Sequence, residues 1–147
     1  TDDFPNIKDN YKIWFEQLES KISAPNIEKI KALIDNIPDK NTYLHGNLNL
    51  TNIAVVNDEL YLLDMAGSSY GHAIFDLQVL YESLVKHEKE HPGYCSSTIG
   101  LSADSCAQFW DLFFSVYIRG QDSSARKKLL NLLEQYYILN QQLLSLI

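Results

Sequence analysis

Cysteine is scarce in this chain: Cys95 and Cys106 are the two thiols among 147 residues. That excludes a disulfide-built scaffold, since a chain of this length can bury a core without covalent staples. Free thiols in a reducing, cytoplasmic setting are expected, although the pair could in principle bridge. Two thiols also leave a zinc site short of ligands in regular spacing. Basic residues are few as well, 12 Lys plus Arg against 19 Asp plus Glu, for a net charge of −7. A nucleic-acid backbone is therefore excluded as the main partner. Long apolar runs are missing. Asp, Glu or Arg interrupt every apolar stretch well before the ~20 residues a membrane-spanning helix needs, so no membrane partner is expected. Thr1-Asp2-Asp3 is acidic where a secretory signal is basic. The sequence has no internal repeat and no low-complexity tract.

What the chain does have is core-forming material. Hydrophobic residues make up 46% and aromatic residues 12%, which excludes disorder and predicts one domain over residues 1–147. Ile7, Tyr11, Trp14, Phe15, Leu18 and Ile22 recur at three- and four-residue steps, with Lys8, Asp9, Glu16 and Glu19 opposite. This predicts a helix over 6–22. Pro25 suits a first helical position, and Ile27, Ile30, Leu33, Ile34 and Ile37 form the next stripe, ended by Pro38. The middle, about 42–71, changes period. Residues 42–44, 53–56 and 60–63 read as short strands, with a tight turn at Asn57, Asp58 and Glu59, and Gly67, Ser68, Ser69 and Gly71 read as a loop. Helical spacing returns over 72–87 and stops at Pro92. A Ser/Thr/Gly stretch leads to Gly100. Ser102 reads as the cap of a helix through Tyr117, and Asp122 or Ser123 as the cap of a last helix from Ser124 to about Ser145. The class predicted is mostly α with a small β-hairpin.

Chemistry concentrates in residues 45–52 and at Asp64. His45 follows a strand, Asn52 begins the next and Asp64 ends the third. An amide oxygen and a carboxylate facing each other across a hairpin mouth make a sparse oxygen site. Such a site suits Mg²⁺, which keeps waters or phosphate oxygens for its other positions.

These residues resemble a known pattern. Kinase catalytic loops read H-x-D-x-x-x-x-N, followed by a hairpin and a metal-binding Asp. His45, Asn47 and Asn52 fall at those offsets, with Asp64 next. Gly46, then Leu63-Asp64-Met65, then Gly71-His72-Ala73-Ile74-Phe75-Asp76-Leu77 make the chain similar to the aminoglycoside phosphotransferase and choline kinase-like family. The resemblance implies the C-terminal lobe of a protein kinase-like fold. It also implies transfer of the ATP γ-phosphoryl group to a small-molecule hydroxyl. Asn52 and Asp64 would bind Mg²⁺ and, through it, ATP. His45 would brace the loop, and Asp76 would hydrogen-bond its backbone. The family's upstream ATP lobe has no counterpart before His45. The chain, opening at Thr1, is expected to be a fragment lacking that N-terminal lobe, with exposed apolar surface that could self-associate.

Three positions depart from the family. Asn47 stands where the catalytic Asp belongs, Asn49 replaces a His, and Ala73 replaces a Pro. An amide can position a hydroxyl but has no basicity to take its proton. General-base loss costs about 10²–10⁴-fold, so the chain is expected to be inactive or nearly so. The alternative reading is a pseudokinase-type binding module without catalysis, and a third is a ligand-free helical scaffold. The acidic balance would suit a cationic substrate, with Glu82, Asp104 and Asp111 near by general location only. Ser68 and Ser69 read as loop residues, His72, His87 and His91 as surface or helix-end residues. Phe109, Trp110, Phe113, Phe114 and Tyr117 read as core, with some aromatics available to stack on a substrate.

Overall fold

The two N-terminal apolar stripes form a helical pair. A computed structural model describes residues 3–18, 20–21 and 24–144. Helix α1 runs over Ile7–Leu18 and α2 over Ala24–Asp35. Glu19 and Ile22 of the predicted first helix, and Ser145 of the last, lie outside the described residues. The Asn6 side chain accepts the Lys8 N–H at 2.9 Å and so caps α1. Phe15, Ile27, Ile30, Ile34 and Ile37 are buried between the pair and the rest of the core.

Four short strands follow: β1 (Thr42–Leu44), β2 (Ile53–Val56), β3 (Glu59–Leu62) and β4 (Ser69–Gly71). Strands β2 and β3 form the expected hairpin, in register Ile53↔Leu62 to Val56↔Glu59. Its turn is shorter than predicted. Asn57 and Asp58, at φ 51° and 64°, make it alone, and Glu59 already belongs to β3. Strand β4 corrects the reading of Gly67, Ser68, Ser69 and Gly71 as a loop throughout, because Ser69, Tyr70 and Gly71 pair antiparallel with β1. Serine and glycine carry little strand propensity, so the pairing comes from β1 and from α1, whose approach is marked by a Tyr70 N–H to Pro5 carbonyl bond of 3.0 Å. The described residues therefore hold two two-stranded sheets rather than one hairpin.

The helix expected over 72–87 is interrupted. It divides into α3 (Ile74–Tyr81), a π-helical turn over Glu82–Lys86, and α4 (His87–Glu90). Within that turn Lys86 is buried, its Nζ 2.8 Å from Glu134 and 4.6 Å above the Tyr137 ring. A second π-helical turn, Cys95–Ile99, occupies the stretch expected as loop. The Glu88 carboxylate accepts the Cys95 and Gly93 N–H groups at 2.7 and 2.9 Å, and these two bonds lower its pKa. Helix α5 (Ala103–Tyr117) is capped by Ser102 on the Ser105 N–H. Helix α6 (Ser123–Leu144) is capped by Asp122 on the Ala125 N–H at 2.7 Å. Leu77, Leu80, Leu84, Trp110, Phe114 and Leu133 close the core between these helices. Among the described residues no helix is long and apolar enough to cross a membrane.

Candidate functional site

The loop that joins β1 to β2 is held by one buried carboxylate. Asp76 lies in the first turn of α3 and is 8% exposed. Its Oδ2 accepts the His45 N–H at 2.7 Å and its Oδ1 the Gly46 N–H at 2.9 Å. Both are charge-assisted bonds, the stronger kind. The His45 ring, itself buried, continues the brace. Its Nδ1 accepts the Asn47 N–H at 3.2 Å, so the proton sits on Nε2, which donates to the Leu63 carbonyl at 2.8 Å. That carbonyl immediately precedes Asp64.

Glycine is required at position 46. Its φ is +84°, and a Cβ there would lie 2.1 Å from the Gly67 carbonyl oxygen. Gly67 is brought over by a 3₁₀ turn, Met65–Gly67, whose Ser68 hydroxyl donates to the Met65 carbonyl at 2.7 Å. The loop and the segment after Asp64 are therefore packed backbone to backbone.

This frame presents four polar side chains, those of Asn47, Asn49, Asn52 and Asp64. The exposed Asn47 accepts from Asn49 Nδ2 at 3.0 Å through its own Oδ1. Asn52 Nδ2 donates to the Asn47 carbonyl at 2.9 Å, and its Oδ1 has no donor among the described residues. Asn49 also caps the 3₁₀ turn Leu50–Asn52, accepting the Thr51 N–H at 2.9 Å and the Thr51 hydroxyl. Asn52 ends that turn, one residue before β2, and its carbonyl accepts the Leu63 N–H at 2.9 Å. Asp64 thus lies beside Asn52 at the mouth of the hairpin. It is exposed, sits in the left-handed region at φ 55°, ψ 60°, and has no side-chain partner among the described residues. A non-glycine residue in that region costs about 1 kcal/mol.

As a donor set, Asn52 Oδ1 and the Asp64 carboxylate fit Mg²⁺, being hard oxygens and few in number. The described residues contain no group of three or more His, Cys, Asp or Glu suited to a metal. The pair is therefore no cage, and the remaining positions would fall to water or phosphate.

A cavity of about 210 Å³ opens beside Asn47, with Thr51, Val79, Glu82, Ser83, His87 and Tyr94 on its wall. Of the three carboxylates singled out by location, Glu82 lines it. Asp104 and Asp111 line another, of about 570 Å³, with Trp110 and Glu88. Ser83, Tyr94 and Thr98 had no signal in the sequence, because Ser83 and Thr98 lie in the two π-helical turns, which break helical periodicity, and Tyr94 directly precedes the second. Of the remaining candidates, His72 is half-buried at the start of α3, its Nδ1 accepting the Ile74 N–H at 3.1 Å. His87 packs its ring on Tyr94 at 4.9 Å, and His91 is exposed. Ser69 is buried, its hydroxyl without a partner among the described residues. Trp110 and Phe114 are core, whereas Phe109, Phe113 and Tyr117 form a stacked row on α5 in which Phe109 is exposed. Cys95 and Cys106 are free and buried. Burial, with Cys106 beside it, pushes the Cys95 thiol up to about 12, which makes it a poor nucleophile.

The strand that leads to Asp64 is apolar yet faces solvent: Leu60 is 74% exposed and Leu62 48%. Comparison with family models, curated proteins and solved structures yields no match to this chain.

Proposed function

We propose that residues 45–52 and Asp64 form the phosphoryl-transfer site of a kinase-like C-terminal lobe, related to small-molecule phosphotransferases, in which Asn47 has removed the general base. The observation that carries this reading is the double grip of Asp76 on the His45 and Gly46 N–H groups. That grip fixes the backbone of the loop in one shape, as positioning a ligand requires. Two further features support it. The unpartnered Asp64 is held in a strained conformation at the hairpin mouth, a kind of strain that clusters at functional sites. Asn52 keeps its amide oxygen free by donating through its nitrogen.

In this reading Asn52 and Asp64 would hold Mg²⁺, which with ATP supplies the phosphoryl group and neutralises its charge. Asn47 would orient the acceptor hydroxyl without taking its proton. Phosphoryl transfer relies mostly on positioning and electrostatics, so a low residual rate is expected. Restoring the acid with Asn47→Asp should raise ATP-dependent phosphorylation by about 10²–10⁴-fold. A panel of hydroxyl substrates with the full-length protein carrying Asn47→Asp tests this, and absence of turnover by that variant overturns the catalytic reading.

The alternative, a binding module without catalysis, is favoured by one detail. Asn47 Oδ1 is already engaged by Asn49, in a network of neutral amides. Calorimetric titration of Mg²⁺ and ATP into wild type and Asp64→Ala separates the two. Equal heats would remove the metal role.

A further inference from the structure

We propose that the exposed face of α5 docks a second copy of this chain, as an antiparallel helix pair with its two-fold axis at Leu112. This surface is separate from residues 45–52 and Asp64 and does not rest on the phosphotransfer reading.

Helix α5 gives one side to the core through Cys106, Trp110 and Phe114. Its other side is apolar as well. Phe109, Leu112 and Val116 are 37%, 69% and 58% exposed. Their i, i+3, i+7 spacing is that of a two-stranded helical seam, where apolar residues recur every ~3.5 positions. An apolar stripe left in water marks an interaction surface. Its rings are also ordered in advance. Phe113 stacks on Phe109 and on Tyr117, with ring centroids 6.2 and 6.3 Å apart. Little side-chain freedom therefore remains to be lost on docking.

Charge selects the occupant. No Lys or Arg stands between Lys89 and Arg119, so α5 carries Asp104, in its first turn, and Asp111 without a cation on the same helix. Where α5 gives way to α6, Arg119, Lys127 and Lys128 are exposed and have no ion-pair partner among the described residues. Asp122, the carboxylate at that end, is engaged in capping α6. An antiparallel copy lays the basic end over the acidic opening turn, and does so at both ends of the pair. A parallel copy would set like ends together. With Leu112 on the axis, Phe109 packs beside Val116 of the second copy, and Ser105 falls in register with its Arg119. The apolar hairpin β2–β3 offers no such match. Its charges are Asp58, Glu59 and Asp64, and no Lys or Arg lies between Lys40 and Lys86. One helix from each copy buries less than the ~1,200–2,000 Å² of stable interfaces, so the dimer is a weak one.

Sedimentation equilibrium of the full chain tests this. Wild type should show a monomer–dimer equilibrium with Kd roughly 10–100 µM. Leu112→Glu, at an exposed position, should leave monomer alone with helix content unchanged. Ser105→Glu should tighten the dimer about fivefold by adding one exposed charge pair at each end. Arg119→Glu placed on that variant should make it weaker than wild type. A parallel pair predicts the reverse for Ser105→Glu, since the new carboxylates would face each other. Monomer throughout the concentration range overturns the proposal. So does a dimer that survives Leu112→Glu, one that is lost on Leu60→Glu instead, or one that Ser105→Glu weakens.

Discussion

Between Leu44 and Leu63 the chain passes from a loop whose polar groups are tied into the core to a hairpin whose apolar groups face solvent. His45 is 3% exposed, its backbone on Asp76 and its ring spanning Asn47 and Leu63. Leu60, Val55 and Leu62 point the other way, at 74%, 67% and 48%. Residue type alone predicts the opposite arrangement. The loop owes its shape to a carboxylate thirty-one positions away in sequence. The hairpin owes its shape to a two-residue turn and its own ladder. One element depends on tertiary contacts and the other does not, so they should respond differently to substitution.

The largest effect is expected at Asp76. Asp76→Ala deletes two charge-assisted bonds and strands the donors, which should cost about 2–4 kcal/mol in urea unfolding. Loss below 1 kcal/mol would mean the loop holds itself, as the hairpin does. Gly46→Ala comes next. A left-handed φ and a Cβ 2.1 Å from the Gly67 carbonyl should together cost about 2 kcal/mol, read by the same denaturation midpoint.

A smaller, pH-dependent effect is expected at His72, two residues before α3. Burial, then Lys40 and Lys8, lower its pKa below the ordinary 6.5. The folded state therefore favours the neutral ring. Its contribution is complete above the unfolded value and is lost as pH falls through 6.5 toward the folded value. Protonation also removes the acceptor for the Ile74 N–H, in the segment that carries Asp76. Melting temperatures of wild type and His72→Asn should agree near neutral pH and diverge as pH falls, wild type dropping below the variant, because Asn keeps an acceptor and cannot titrate. The smallest effect belongs to the hairpin. Leu60→Ser should change stability by no more than about 0.5 kcal/mol, and a larger loss would show that something in the molecule covers this strand.

Much of this architecture was legible in the residues. The caps at Ser102 and Asp122, the stripes of α1 and α2, and the hairpin at Asn57 and Asp58 are local devices, and local spacing reports them. Strand β4 was not legible, since Ser69 and Gly71 earn their pairing from Thr42 and Leu44. Nor were the two π-helical turns, whose added residue breaks the helical period that the reading depends on. At the candidate site the motif offsets gave His45, Asn47, Asn52, Asp64 and Asp76 as a set. The offsets carried no information on Gly67 beneath Gly46, on the ring nitrogens of His45, or on which of three acidic residues lines the cavity.

By itself, then, the sequence determined the helical class, the hairpin turn and the caps, because each follows from neighbours within a few residues. Only the tertiary structure decided that Leu60 faces solvent while His45 is buried, that Asp76 spends both oxygens on one loop, and that Glu82 rather than Asp104 or Asp111 stands beside Asn47. Burial and hydrogen-bond partnership are set by what packs against a residue, and for these residues that partner lies far along the chain.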